Sequence, residues 1–140
     1  MIGYLVDTNV LSELAKPAPN SEVSAWFSQV SELELFTSCL VLGEIEKGIM
    51  LLEDDMKRRQ LTTQLQDIQD AFEGRIISLD VIAAKLWGDL TAVGSKAGRT
   101  PPIIDAMLAA QCLTHNLTLV TRNLKDFEQF AGLQVYSPWV

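Results

Sequence analysis

Four carboxylates in this chain stand where chemistry is possible: Asp7, Glu44, Asp105 and Asp126. Asp7 closes the opening apolar run I-G-Y-L-V, Ile2 to Val6. Glu44 falls in the first turns of a helical stretch that follows a second apolar run. Asp105 is the one charge in I-I-D-A-M-L-A-A-Q-C-L, Ile103 to Leu113. A charge in such surroundings is costly unless it is paired or bound to metal. Asp126, with Thr121 and Asn123, lies at or just past the end of the run L-T-L-V. Carboxylates brought together repel and raise one another's pKa. A hard divalent cation is the usual resolution, and magnesium takes oxygen ligands from one or two carboxylates plus water and phosphate. A site of that kind activates water and stabilises charge on a phosphodiester. No other nucleophile in the chain has a plausible base, so metal-assisted hydrolysis is the natural chemistry.

Ordinary roles compete for most of these residues. A glutamate near a helix N-terminus, such as Glu44, is favoured by the helix dipole alone. Glu46 lies on another face and reads as solvated, and capping or solvation accounts for Asp80 and Asp89. The chain has two cysteines and one histidine, so no Cys/His metal cluster can be built. It has neither a serine-hydrolase elbow nor a Walker glycine loop. Net charge is 11 − 18 = −7, which argues against holding nucleic acid by charge alone. That balance suits a clustered acidic metal site, docking to a basic partner, or both. The exception is G-S-K-A-G-R-T-P-P, Gly94 to Pro102, read as a loop, where Lys96 and Arg99 could meet a phosphate backbone.

The elements that must position these acids follow from hydrophobic period. The run up to Val6 favours a buried parallel strand, with Thr8 or Asn9 capping the next helix. A-K-P-A-P, Ala15 to Pro19, is a helix stop. Val23, Trp26, Phe27 and Val30 give a short helix opened by Asn20 or Ser21. Leu33 to Ser38 reads as the second strand. A helix from about Leu40 follows, with Leu42, Ile45, Ile49 and Leu52 on its apolar face. A charged junction leads to a polar helix from Arg58 to Phe72, ended by Gly74. Arg75 to Leu79 is the third strand. Asp80 caps a helix with Ile82, Ala83, Leu86, Trp87 and Leu90 inward. The Asp105 helix ends at His115 and Asn116. Leu117 to Val120 is the fourth strand, and Gln134 to Tyr136 adds an edge strand. Strands alternating with helices predict an α/β fold, a three-layer α/β/α domain on a mainly parallel sheet of four or five strands. In such sheets ligands bind beyond the carboxyl ends of the strands. There Asp7, Glu44, Asp105 and Asp126 converge if the sheet is parallel. The 140 residues, 48% hydrophobic, suit one domain spanning 1–140. Without a signal-like N-terminus or a membrane-length apolar run, a soluble cytoplasmic protein with reduced, buried thiols is expected.

Four stretches resemble the four motifs of PIN-domain nucleases. They are D-T-N-V-L-S-E at Asp7 to Glu13, G-E-I-E-K-G at Gly43 to Gly48, P-I-I-D-A-M-L-A-A at Pro102 to Ala110, and L-V-T-R-N-L-K-D-F at Leu119 to Phe127. Length and the S-P-W ending are similar to the VapC/FitB-type toxins of type II toxin–antitoxin pairs. The resemblance covers essentially the whole chain. It implies that Asp7, Glu44 and Asp105 hold a metal, Mg²⁺ or Mn²⁺. It implies a fourth site position at Asn123 or Asp126. Asn123 is neutral, so Asp126 is the acid expected there, with Asn123 a polar contact. Thr8, Asn9 and Thr121 would support the site by hydrogen bonds. Ser38 fits the pattern, whereas Val41 stands where many relatives carry Ser or Thr. Lys96, Arg99 and Arg122 are candidates for phosphate contact. The implied activity is endoribonuclease cleavage by a metal-activated water. The implied partners are an RNA substrate, a cognate antitoxin with a basic tail, and a second copy of the chain in a homodimer.

Two other classes fit parts of the pattern. A PIN-like module that binds RNA or protein without cutting would accommodate the neutral Asn123, and metal titration separates it from a nuclease. A phosphoacceptor signalling domain also places acids after parallel strands. It needs a second acid beside the first, which Asp7-Thr8-Asn9 lacks.

Overall fold

The chain builds a five-stranded sheet in the order β3-β2-β1-β4-β5, every pair parallel. This is a computed structural model, and it describes residues 3–139. Ile2 of the expected first strand lies outside the described residues. The strands are β1 (Gly3–Val6), β2 (Leu35–Ser38), β3 (Ile76–Ile77), β4 (Leu117–Val120) and β5 (Val135–Tyr136). The helices are α1 (Thr8–Leu14), α2 (Ser21–Gln29), α3 (Cys39–Met50), α4 (Asp55–Ala71), α5 (Val81–Lys96) and α6 (Ile103–His115). Short 3₁₀ turns cover Glu32–Glu34 and Leu124–Phe127. Helices flank the sheet as the alternation predicts. One set packs as α2 on α1, α1 on α3 and α3 on α4, while α5 packs along α6.

The central strands are buried on both faces, which is why they read as continuous apolar runs. Leu5, Val6, Leu119 and Val120 are all fully buried. With Val10, Val23, Val41, Leu108 and Ala109 they form the middle of the core. Val41 therefore packs as a core residue where a hydroxyl was a possible alternative. Register matters most between β1 and β4. Val6 pairs with Val120, and the Asp7 N–H donates to the Val120 carbonyl at 2.9 Å. The residue after each strand, Asp7 and Thr121, is thereby brought to the same sheet edge. Gly3 lets the Leu117 side chain lie close over β1, since a Cβ there would push the Leu117 methyl aside.

Several local expectations are corrected. The N-cap of α1 is Asp7 itself, not Thr8 or Asn9, which form the first helical residues. Glu32–Glu34 is a 3₁₀ turn, so β2 begins at Leu35 rather than Leu33. Asp54 caps α4, which starts three residues earlier than its apolar spacing suggested. β3 is only Ile76–Ile77. Gly94, Ser95 and Lys96 are the end of α5 and not a loop. Ile82 is 70% exposed, because Ala83 on the adjacent face takes the buried position. Cys112 is buried and Cys39 half-buried, both as free thiols. Asp80 caps α5 through the Ala83 N–H at 2.8 Å and pairs with His115 at 3.0 Å. Among the described residues no helix is long and apolar enough to cross a membrane.

Candidate active site

Three helices start at one edge of the sheet, and each carries an acid there. Asp7 is the junction of β1 and α1. Its Oδ1 accepts from the Thr8 N–H at 2.7 Å, and its Oδ2 accepts from the Thr121 hydroxyl at 2.9 Å. Glu44 is the sixth residue of α3, and its Oε1 accepts from the Thr8 hydroxyl at 2.9 Å. Thr8 thus touches two of the acids, one by its N–H and one by its hydroxyl. Asp105 is the third residue of α6, half-buried at a helix start that has no side-chain cap. Asp126 sits exposed in the 3₁₀ turn after β4.

Thr121 is the hub on the β4 side. It is fully buried. Its Oγ1 donates to Asp7 and accepts from Asn9 Nδ2 at 3.1 Å and from the Asn123 N–H at 3.2 Å. Asn9 Oδ1 in turn accepts the Arg122 N–H at 3.1 Å. One asparagine and one threonine therefore stitch the start of α1 to the loop beyond β4. Buried polar groups need this full satisfaction, because each unpaired one costs about 1–3 kcal/mol.

The ionisation of the acids shows that they share a field. Burial is the largest cause that raises the Asp7 carboxyl above its ordinary value, and the nearby Asp126 charge adds to it. The hydrogen bonds from Thr8 and Thr121 pull the other way. Asp105 is pushed up to about 6, first by burial and then by the charges of Asp126, Asp7 and Glu44. All four acids are thus within electrostatic reach of one crevice. Asp126 contributes charge there, whereas Asn123 contributes its backbone N–H to Thr121. Among the described residues, no three acids, histidines or cysteines stand close enough together to form a metal-holding group.

The basic candidates lie around this edge. Lys96 ends α5, and Arg99 is exposed in the turn that leads into α6. Arg122 lays its guanidinium over the Trp139 ring, 5.4 Å from the centroid. On the other flank, a cavity of about 350 Å³ between α1, α3 and α4 opens beside Thr8 and Glu44. Its apolar lining includes Leu11, Ile45, Ile49, Leu61, Leu65 and Ile68.

Three polar residues with structural roles were not singled out from the sequence. Glu13 is buried and accepts from Lys16 Nζ and the Asn20 N–H, each at 2.9 Å. Those two bonds, Lys16 first, hold its carboxyl below the ordinary range. Thr37 donates to the Val6 carbonyl at 3.1 Å. Gln111 is fully buried on α6. A lone amide inside an apolar helix was the available signal for Gln111.

The PIN domain family model matches residues 4–133. The chain belongs to the PIN-domain family. Toxin FitB of Neisseria gonorrhoeae is 32% identical over 136 residues, covering 96% of this chain and 97% of that protein. VapC ribonuclease Y4jK of Sinorhizobium fredii is 29% identical, covering 96% of each. The crystal structure of FitAcB from Neisseria gonorrhoeae superposes with a TM-score of 0.87 at 31% identity, covering 97% of this chain and 98% of that one. The match thus runs through β1 to β4 and every acid described above.

Proposed function

We propose that this PIN-domain protein is a metal-dependent endoribonuclease that acts as the toxin of a toxin–antitoxin pair. One observation carries the reading: Asp7, Glu44, Asp105 and Asp126, scattered over 120 residues, share one electrostatic crevice at the carboxyl ends of parallel strands. Relatives named as a toxin and as a VapC ribonuclease support it.

The donor set fits Mg²⁺ or Mn²⁺. It is all oxygen, it is strongly acidic, and hard cations of this kind need only one or two carboxylates with water and phosphate completing the shell. Asp7, Glu44 and Asp105 would hold the ion. When bound, it supplies the charge that lowers the pKa of water and offsets the negative phosphodiester. The chain's own work is orientation. Thr8 and Thr121 fix both oxygens of Asp7, and Thr8 fixes Glu44. Asn9 locks Thr121, and through the Arg122 N–H it anchors the loop that carries Asp126. Lys96, Arg99 and Arg122 offer positive charge to the RNA backbone at the rim of an otherwise acidic surface.

An antitoxin with a basic tail suits a chain of net charge −7. The apolar cavity beside Glu44 offers it a place for an amphipathic segment, with its basic residue reaching the acids. Exposed Val81, Ile82 and Val93 on α5 offer apolar surface to a second copy. No described helix is long and apolar enough for a membrane, which is compatible with action in the cytoplasm.

The test is cleavage of total cellular RNA by wild type and Asp7→Asn, with Mg²⁺, with Mn²⁺ and with chelator. Discrete fragments that require both metal and Asp7 are expected. Full activity in a folded Asp7→Asn protein would overturn the reading. A folded wild type that neither cleaves RNA nor binds Mn²⁺ would instead indicate a PIN module that binds without cutting.

A further inference from the structure

We infer that Gln111 is a positioning residue that sets the distance between the Asp105 helix and the Glu44 helix. The inference rests on the nuclease reading above. Gln111 lies six residues after Asp105 on α6, about 9 Å further along the helix axis. Its side chain is fully buried. Its Oε1 accepts from the Ser38 hydroxyl at 2.6 Å, and its Nε2 donates to the Ile77 carbonyl at 3.4 Å. Ser38 is the N-cap of α3, where its Oγ also accepts the Leu40 N–H at 3.0 Å. One amide therefore links α6, which carries Asp105, to the start of α3, which carries Glu44, and to strand β3.

The rest of this contact is poor at fixing position. The buried neighbours of Gln111 on α6 are Ala106, Leu108, Ala109, Ala110 and Cys112, and of these only Leu108 is large. All are apolar, and apolar burial is non-directional. Such packing holds α6 on the sheet without choosing where along its axis the helix stops. A buried hydrogen bond is directional and costly to break, so it selects one setting. The selected setting keeps Asp105 within the electrostatic reach of Asp7 and Glu44. Functional carboxylates must be held within roughly 0.5 Å of their working geometry. A slip of α6 too small to unfold the protein is large enough to spoil the site.

Gln111→Met keeps the shape of the side chain and removes both bonds, and Ser38→Ala breaks the same link from the other end. The measurements are kcat and KM for RNA cleavage, Mn²⁺ affinity by calorimetry and the melting temperature, on wild type, both single variants and the double variant. The expected result for Gln111→Met is a fall in kcat of about tenfold, the lower end for residues that orient metal ligands. RNA KM should be unchanged, Mn²⁺ affinity weaker, and the protein fully folded at the assay temperature. The double variant should lose less than the sum of the two single ones, because the Ser38–Gln111 bond is common to both, while the Leu40 cap is lost only with Ser38 and the Ile77 bond only with Gln111. If Gln111→Met fails to fold, folded Ser38→Ala carries the same expectation. Wild-type kcat and Mn²⁺ affinity in folded Gln111→Met or Ser38→Ala would overturn the inference and leave the nuclease reading standing. So would fully additive losses in the double variant. A wild type with neither cleavage nor Mn²⁺ binding would fail the nuclease reading itself, and this inference with it.

Discussion

Asp105 is a liability to the metal-free fold at neutral pH. Burial and three neighbouring charges raise its carboxyl from 3.8 to about 6. A group with a raised folded pKa holds its proton more tightly in the native state than in the unfolded one. Native stability therefore falls as pH rises through the window from 3.8 to about 6, and the penalty persists above it. Asp105→Asn cannot ionise. In chelator, it should melt above wild type at pH 8, and the difference should vanish by pH 4. Melting curves across that range check this, and a constant offset would show that ionisation of Asp105 is not the cause. Asp105 was legible as a lone charge in an apolar helix. From residue pattern alone Thr121 read as a polar residue after a strand, and only the resemblance to PIN-domain nucleases implied its supporting hydrogen bonds. Its partners Asp7 and Asn9 stand more than 110 residues away in the chain. No local pattern reports such a bond.

A tight turn carries the chain from α5 into α6. The Arg99 N–H donates back to the Gly94 carbonyl at 2.8 Å, closing the turn tightly. A Cβ on Gly94 would stand 2.6 Å from the Arg99 carbonyl oxygen and 2.8 Å from Pro101 Cδ. Gly94→Ala must therefore shift backbone, at a cost of about 1–3 kcal/mol as for other overpacked sites. Urea unfolding should show that loss. The altered turn should also raise KM for RNA, since it carries Arg99 and follows Lys96. An unchanged midpoint would mean that the turn opens freely. Glycine and serine at positions 94–95 read as loop, yet the helix continues through them. The packing of α5 along α6 overrides their weak propensity. The same contact explains Ile82. Helical spacing names a stripe of apolar residues, but the partner helix decides which edge of that stripe is covered.

Asp7, Glu44, Asp105 and Asp126 gather within electrostatic reach of one another at the carboxyl edge of the sheet, so a cation bound there should stabilise the native state. A ligand present at a hundred times its dissociation constant adds about 2.7 kcal/mol. Millimolar Mn²⁺ should therefore raise the melting temperature of wild type and leave Asp7→Asn nearly unmoved. An equal rise in both proteins would place the ion elsewhere. Parallel strands make this concentration possible, because every strand then delivers its following residue to the same edge. An antiparallel pairing of β1 with β4 would have sent Asp7 and Thr121 to opposite ends.

Sequence alone determined the alternation of strand and helix, the parallel sheet, and the three acids at its carboxyl edge. Those features follow from local period, from apolar runs that stop at a polar residue, and from topology that parallel strands impose. The tertiary structure alone decided the rest. It made Asp7 a helix cap as well as an acid, and it gave Thr8 to both Asp7 and Glu44. It brought the charge of Asp126, the acid expected at the fourth position, to bear on Asp105. It buried Gln111 where it bridges Ser38 and Ile77. Each of these depends on register, on a few ångströms of approach between distant segments, or on which face a neighbour covers. Residue types and spacing along one chain do not encode those distances; they arise when the elements pack.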